Sequence, residues 1–596
     1  MNKSKQFLIK PACIIFLLFV IFTFHLAGDV PVDPELTQGE TWDYIIITKT
    51  PFVDDFQTLA EYRHKQGLKT AIFTTAGIYD AYSDVTDGSL PQVSEFPKRI
   101  REFLKDMYTD HGLEYVLIGG DTEKVPTRHT YGWIGYDNIA KIDINGSIPT
   151  DLYYSAGFNT GDPDYYDLTW NNQGPYWCPI MENYFTGYEP PPNNTPYDST
   201  YYFKIHLKVG RLCVGTASEI SDYTNKVMEY ESADEYSHLE KGTFLAAEQA
   251  GVTGIEKYVV ETEYDSSGVV SEWNPNISST MTIERIYTDG SFVIDDTLPT
   301  PTPAQQIYYA VPSPVPTNYE VLGNSCSKTN INSALNAGTN ICTWGGHGHA
   351  TGFGGVDFIN TDAYALDSGG KYGGLFFTGT CETAAFDAGA NYIKNDYIWN
   401  EECLGVSFLK SVDGGFTNYV GASRTILADM TPLLQSMLKN LFNIGTYNEF
   451  TPGFYTAGNL YMIGKQIMID EYKDYLDIPV GDYGYAIRSG IMSVALLGDP
   501  AVSIYTKEPN TLTVTHPSQI SHGSPTTVYV TVKYYYYPVY NVQVCLYKED
   551  EIYEVKNTNL WGNVFFTGIE ADTTGTLYVT ATIHNYKRYS GTIIVN

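Results

Sequence analysis

Positive charge is scarce in this chain. Lys and Arg number 36 against 69 Asp and Glu over 596 residues, a formal net charge of −33, and no segment gathers its cations into a patch. A phosphate backbone is repelled by such a surface, so nucleic acid is set aside as a partner. The acidity suits solubility outside a cell, cationic substrates, or Ca²⁺ held through carboxylates. Cysteines are also few, at 13, 178, 213, 326, 342, 381, 403 and 545. No CxxC unit occurs, and the wide spacing excludes the disulfide framework of small secreted domains. Neither GxxxxGK[ST] nor GxGxxG is present, which removes the usual phosphate-cradling loops. Long apolar runs are limited to one, Cys13 to Leu26, preceded by Lys3, Lys5 and Lys10 and followed by AGD. It reads as a secretory signal over residues 1–28 or a signal anchor, since about 14 residues fall short of the roughly 20 a helical span needs. Cys13 lies too early for a lipid-modified cleavage site, and removing the signal leaves an odd number of cysteines, hence at least one thiol unpaired within the chain. The expected location is secreted or cell surface, with membrane contact only through an uncleaved anchor.

What is present supports packed cores: 43% hydrophobic residues, 14% aromatic and 51 tyrosines, in a length that divides into about three or four units. "DYIIITKT" predicts a buried strand, "DDFQTLAEYRHKQG" a helix closed by Gly67, and "LKTAIFTT" a second strand. Phe96, Ile100, Phe103, Leu104 and Met107 recur at helical spacing before the strand "LEYVLIGGD". Alternation of this kind implies a parallel sheet covered on both faces. Residues 141–196 are rich in Asp, Tyr, Asn, Gly and Pro and read as a long loop region. "HLKVGRLCV" resumes a strand, "EISDYTNKVMEYE" a helix, and a proline-rich segment at 299–316 reads as extended surface chain or a processing site. After "LLGDPAVSIYTKEPN" short strands alternate with turns, which argues a β-sandwich.

The helix "INSALNAG", closed by Gly338, leads into the strand "TNICTW" and then "GGHGHATGFGG"; "GLFFTGTC" is another strand, ending at Cys381. A histidine and a cysteine, His347 and Cys381, thus stand at strand ends, where α/β folds place ligands. Thiols attack carbonyls as thiolates, and an imidazole both helps form the thiolate and protonates the leaving amine. The 34 residues between them leave room for one crossover joining adjacent parallel strands. Backbone N–H groups of Gly348 and Cys381 are candidates for an oxyanion hole. The competing readings are an inert buried thiol, for which Cys342 inside its strand is the better candidate, and a zinc site of His347, His349 and Cys342, which lacks a fourth ligand of suitable spacing.

"INSALNAGTNICTWGGHGHATGFGG" followed by "GLFFTGTCETAAFD" resembles the gingipain-like cysteine peptidases, family C25. "YIIIT", "LAEYRHKQGLKTAIFTT", "YVLIGGDTEKVP", "TDLYYSAG", "VGRLCV", "VMEYE" and "LLGDPAVSIY" follow the family's order from Asp43 to Thr506. The resemblance implies an α/β, caspase-like parallel-sheet catalytic domain in two subdomains, 43–235 and 236–506, followed by an immunoglobulin-like β-sandwich at 508–596. It makes His347 the catalytic histidine and Cys381 the nucleophile, with His349 a neighbour. The acidic residue that supports the histidine in gingipains falls here on His206. An acidic residue that receives a basic substrate side chain falls near Glu219, which reads equally as a first-turn glutamate favoured by the helix dipole. Structural Ca²⁺ is implied loosely, with carboxylates in "GDPDYYDLTW" on offer and no cofactor needed for catalysis. The expected function is a cysteine endopeptidase acting on proteins or peptides, after Arg or Lys. A sortase-like transpeptidase and a non-catalytic surface or adhesion protein are the alternatives.

Overall fold

The computed structural model describes residues 30–85, 95–130, 148–158, 204–232, 236–246, 281–287, 326–388, 401–426, 455–471 and 490–596, with the short strand pieces 167–170, 173–177, 392–394 and 397–399 and single helical positions at 433, 437 and 441. The apolar run of residues 1–28, the proline-rich segment 299–316, Cys178 and most of "GDPDYYDLTW" lie outside the described residues.

The chain divides into two compact units: Met1–Gly119 with Thr216–Thr224 and Pro509–Asn596, and Gly120–Gly215 with Asn225–Glu508. The divisions at 235 and 506 expected from the sequence follow chain order, whereas these units follow packing.

In the first unit, strands β1 (Tyr44–Thr48), β2 (Thr70–Thr74) and β3 (Tyr115–Gly119) run parallel in the order β2-β1-β3. All three are buried along their whole length, as continuous apolar runs between covering helices require. Helices α1 (Val53–Lys65) and α2 (Glu95–His111) form where the apolar spacing predicts them; Ile100, Phe103, Leu104 and Met107 of α2 are fully buried. Residues 509–596 form two packed sheets. One joins Thr513–Thr515, Thr526–Tyr534, Tyr537–Pro538 and Asn563–Ile569; the other joins Gln519–Ile520, Tyr589–Val595, Gly575–Thr582, Gln543–Lys548 and Ile552–Asn557. Val528, Val530 and Val532 alternate inward with Phe566, Leu577 and Val579 to fill the space between them, each buried side chain contributing roughly 1.5–3 kcal/mol. The sandwich seats on α1: Gln543 Nε2 donates to the Gln66 carbonyl at 2.8 Å, and the His64 ring meets Tyr547 and Tyr553 at 4.9 and 4.4 Å.

The second unit is built on seven strands: β4 (Lys208–Leu212), β5 (Lys241–Ala246), β6 (Thr282–Tyr287), β7 (Ile341–Gly345), β8 (Gly373–Thr378), β9 (Phe416–Ala422) and β10 (Val494–Gly498), in the order β6-β5-β7-β8-β9-β10-β4. Pairing is parallel except between β9 and β10, so the sheet is mostly rather than wholly parallel. Helix α3 (Ala217–Ser232), divided between the two units after Thr224, buries Ile220, Tyr223, Val227 and Tyr230, the face its periodicity marks. Helix α4 (Lys328–Asn336) is capped by the Ser327 side chain, which accepts from Asn330 N. Part of the stretch expected as loop is a small sheet instead: Arg128–Thr130, Ile148–Thr150, Asp167–Trp170 and Gln173–Trp177 pair into four strands. Strands of three to five residues carry too little apolar alternation to register as periodicity.

Candidate active site

β7 and β8 pair in parallel with Trp344 opposite Thr378. His347 lies three residues beyond Trp344 and Cys381 three beyond Thr378, so both leave the sheet at the same edge and the same level. The histidine loop is fixed from below. Trp344 stacks on Phe353 at 4.2 Å and 17°, and its Nε1 donates to the His347 carbonyl at 3.2 Å. Gly354 N donates to the same carbonyl at 2.7 Å. Two glycines answer to close approach. A Cβ on Gly346 would stand 2.7 Å from the Trp344 ring, and one on Gly348 would stand 2.7 Å from Thr380 Cγ2, 2.8 Å from Thr383 Cγ2 and 2.9 Å from the Cys381 carbonyl. Only a residue without Cβ lets the two loops touch there.

The cysteine loop is held as firmly. Glu382, directly after Cys381, sits at φ +61°, a left-handed conformation costing about 1 kcal/mol for a residue with a side chain. Its partners fix it there: Glu382 N donates to the Arg424 carbonyl at 3.2 Å, and its buried carboxylate accepts from Thr425 Oγ1 at 2.5 Å. The chain turns sharply enough to leave Cys381 at the crest. Cys381 is partly exposed, whereas Cys213, Cys326, Cys342, Cys403 and Cys545 are buried. Burial pushes the thiols of Cys403 and Cys545 up to about 12 and those of Cys213 and Cys342 well above the ordinary range, so these stay protonated. Cys381 Sγ lies 3.4 Å from both the amide N and the carbonyl O of Ile426. Desolvation holds the His347 imidazole below its ordinary pKa, which keeps it neutral and able to accept a proton.

Two elements brace the loops. The first is the chain leaving β9. Arg424 grips Asp387 through both oxygens, at 2.8 and 2.6 Å, and donates to the Ser423 carbonyl at 2.8 Å. Burial raises the Asp387 carboxyl, but Arg424, with His129 Nε2 at 3.6 Å, outweighs that and holds it well below the usual carboxylate range. The second is helix α5 (Leu404–Lys410), whose opening amides reach both loops: Leu404 N donates to the Ala350 carbonyl and Gly405 N to the Thr383 carbonyl, each at 2.8 Å. No motif in the sequence marks 423–426 or 404–405; their role appears only through what they touch.

The other expected residues have local partners. Glu219 closes a capping box at the start of α3, accepting from Thr216 N at 3.1 Å while its own N–H meets Thr216 Oγ1 at 3.3 Å. His206 stacks on Phe158, rings 5.5 Å apart and 15° from parallel, and its backbone N–H donates to the Ser155 carbonyl at 2.7 Å. His349 Nδ1 is 3.3 Å from Thr351 Oγ1. Cys342 is wholly buried inside β7, away from the zinc role. Among the described residues no group of three or more His, Cys, Asp or Glu side chains could hold a metal, and the stretch expected to offer Ca²⁺ ligands lies mostly outside them. Asp151, which the sequence did not single out, explains why "TDLYY" and "VGRL" occur together: its carboxylate takes both Nε and Nη2 of the buried Arg211, at 2.6 and 2.8 Å.

Comparison with known proteins agrees with this architecture. The model of peptidase family C25 matches residues 37–505. The structure is similar to that of the Arg-specific cysteine proteinase gingipain R, with a TM-score of 0.59 at 15% identity, covering 94% of this chain and 99% of that one. It is similar to a complex of Porphyromonas gingivalis RgpB pro- and mature domains, with a TM-score of 0.59 at 16% identity, covering 93% and 100%. No curated protein sequence matches the chain. A family match over most of the length, on a mostly parallel sheet followed by a β-sandwich, settles the class: the chain belongs to peptidase family C25 and is a cysteine peptidase with the gingipain fold.

Proposed function

We propose that the protein is an exported endopeptidase working through a dyad of Cys381 and His347. The observation that carries the reading is the shared level of the two residues beyond the register pair Trp344 and Thr378, with Gly348 packed against the Cys381 carbonyl. His347 takes the Cys381 proton, Sγ attacks the peptide carbonyl carbon, and the oxygen that gains the charge is received by the N–H groups of Gly348 and Cys381. The C–N bond then breaks as His347 returns the proton to the leaving amine, giving a thioester. Water, deprotonated by His347, attacks the thioester, releases the acid and restores the thiol. A third, acidic member is not required for this cycle. No step of this cycle is assigned to a metal.

Cleavage after Arg or Lys belongs to the proposal. It is supported by the Arg specificity in the name of gingipain R and by the acidic surplus of the chain; Glu219, committed to its capping box, is a weak anchor for a substrate cation. Export rests on the apolar run before residue 28, and among the described residues no helix is long and apolar enough to cross a membrane. A fluorogenic peptide library, with reductant, tests the whole reading. Wild type is expected to cut after one class of residue, with Cys381→Ala inactive and His347→Ala reduced by about 10² to 10⁴; equal cleavage by all three proteins rejects the dyad.

A further inference from the structure

The outer face of one sheet of the sandwich carries an aromatic strip that no step of peptide hydrolysis uses. Tyr529 stands opposite Phe565, ring centroids 4.8 Å apart, and both point outward, 41% and 51% exposed. Two residues along, Thr531 stands opposite Asn563, with Thr531 Oγ1 donating to Asn563 Oδ1 at 3.0 Å. Beyond that pair, in the turn that leads into the strand, stands Trp561, 74% exposed, held in place because Gly562 O accepts from Val532 N at 2.7 Å and Asn559 Oδ1 accepts from Trp561 N at 2.9 Å. Tyr537 and Tyr540 flank that end, 73% and 57% exposed. Phe565 and Asn563 belong to the strand Asn563–Ile569, and Trp561 to the turn before it, which Gly562 N closes by donating to the Asn559 carbonyl at 2.9 Å.

Charge sets this strip apart. Residues 526–541 and 555–568 contain no Asp or Glu and two Lys, Lys533 and Lys556, in a chain with 69 acidic residues. Rings of this size left in water on a rigid sheet mark a binding surface rather than ordinary exposed apolar residues, and Tyr and Trp give contact area at little entropic cost. The pattern along the row is stacking platform, hydrogen-bonding pair, stacking platform. A lipid surface would leave Thr531 and Asn563 desolvated in the middle of the contact. A pyranose chain matches the row at each point: its sugar rings offer flat C–H faces to Phe565 and Trp561, its hydroxyls meet Thr531, Asn563 and the tyrosine hydroxyls, and it carries no charge for the acidic surface to repel. We propose that this face of the sandwich binds an extended neutral polysaccharide and so holds the peptidase on a glycan-coated surface.

Co-sedimentation of the full chain with amorphous cellulose, chitin, xylan and insoluble starch tests this, with phosphatidylcholine vesicles and sedimentation velocity run alongside. Retention on at least one polysaccharide is expected. It should fall about tenfold or more in Trp561→Ala and in the double variant Tyr529→Ala/Phe565→Ala, persist in Trp561→Tyr, and leave peptide cleavage and the melting temperature unchanged. Retention on none of the four, or equal retention by wild type and both alanine variants, overturns the proposal. So does ring-dependent binding to vesicles, or ring-dependent self-association, in place of glycan binding. Because the readout is binding, an inactive peptidase that still sediments with glycan separates this proposal from the dyad.

Discussion

Gly348 and Cys381 are in contact through the backbone: a Cβ at residue 348 would stand 2.9 Å from the Cys381 carbonyl oxygen. The histidine loop and the cysteine loop are therefore one assembly, and the amide next to His347 is held beside the candidate nucleophile. Gly348→Ala is expected to push the loops apart by a few tenths of an ångström or more and to lower kcat by about 10², with KM changed far less. Steady-state kinetics on a cleaved peptide checks the split. Unchanged kcat would show that the contact does not position the chemistry.

His347 is held below its ordinary pKa by desolvation. A lowered value keeps the imidazole neutral, and so a proton acceptor, to a lower pH than in a free histidine. The acid limb of kcat/KM is expected to fall below about pH 6.5. A limb above that value would contradict the assignment of His347 as the base in the free enzyme.

Asp387 and Arg424 form a buried, two-pronged ion pair beneath the nucleophile loop. Asp387→Ala leaves the guanidinium buried without its partner and is expected to destabilise by about 3–5 kcal/mol, read by denaturant unfolding. The sign in pH follows from the depressed carboxyl. The contribution is present above about pH 4, the unfolded value, and is lost as pH falls towards the lower folded pKa.

His64 is buried between α1 and the sandwich, its Nδ1 accepting from Thr70 N at 3.1 Å, and its pKa is lowered by desolvation to about 4. Below about pH 6.5 the unfolded state takes up the proton first, so stability falls with pH from 6.5 to about 4, by on the order of 3 kcal/mol, and no further from this group below that. Unfolding of His64→Gln is expected to lose that slope. A slope identical to wild type would assign the acid sensitivity to other groups.

What the sequence revealed follows from what it encodes locally. β7, β8 and α4 are apolar runs with caps and stops beside them, so His347 and Cys381 could be placed at adjacent strand ends before any coordinates. Gly346 and Gly348 were recognisable as a close-approach loop, though not that Trp344 and Cys381 were the groups approached. Ile426, Arg424 and the opening amides of α5 act through backbone N–H and C=O groups or a side chain reaching from a distant part of the chain, and no residue spacing records that. The antiparallel step between β9 and β10 was hidden for the same reason: Phe416–Ala422 and Val494–Gly498 are apolar runs whose direction depends on the route between them. Glu219 shows how two readings share one residue: an acidic side chain in a first turn has a local partner, here Thr216, and spacing alone does not separate that role from a substrate pocket.

Everything proposed for the site turns on Cys381 as the nucleophile. Incubation of the reduced protein with an acyloxymethyl ketone carrying a Lys or Arg peptide, followed by mass mapping of the digested protein, tests it most directly. One adduct is expected, on Cys381, formed with loss of peptidase activity and abolished in His347→Ala. An adduct on another cysteine, or full inactivation with Cys381 unmodified, would contradict it.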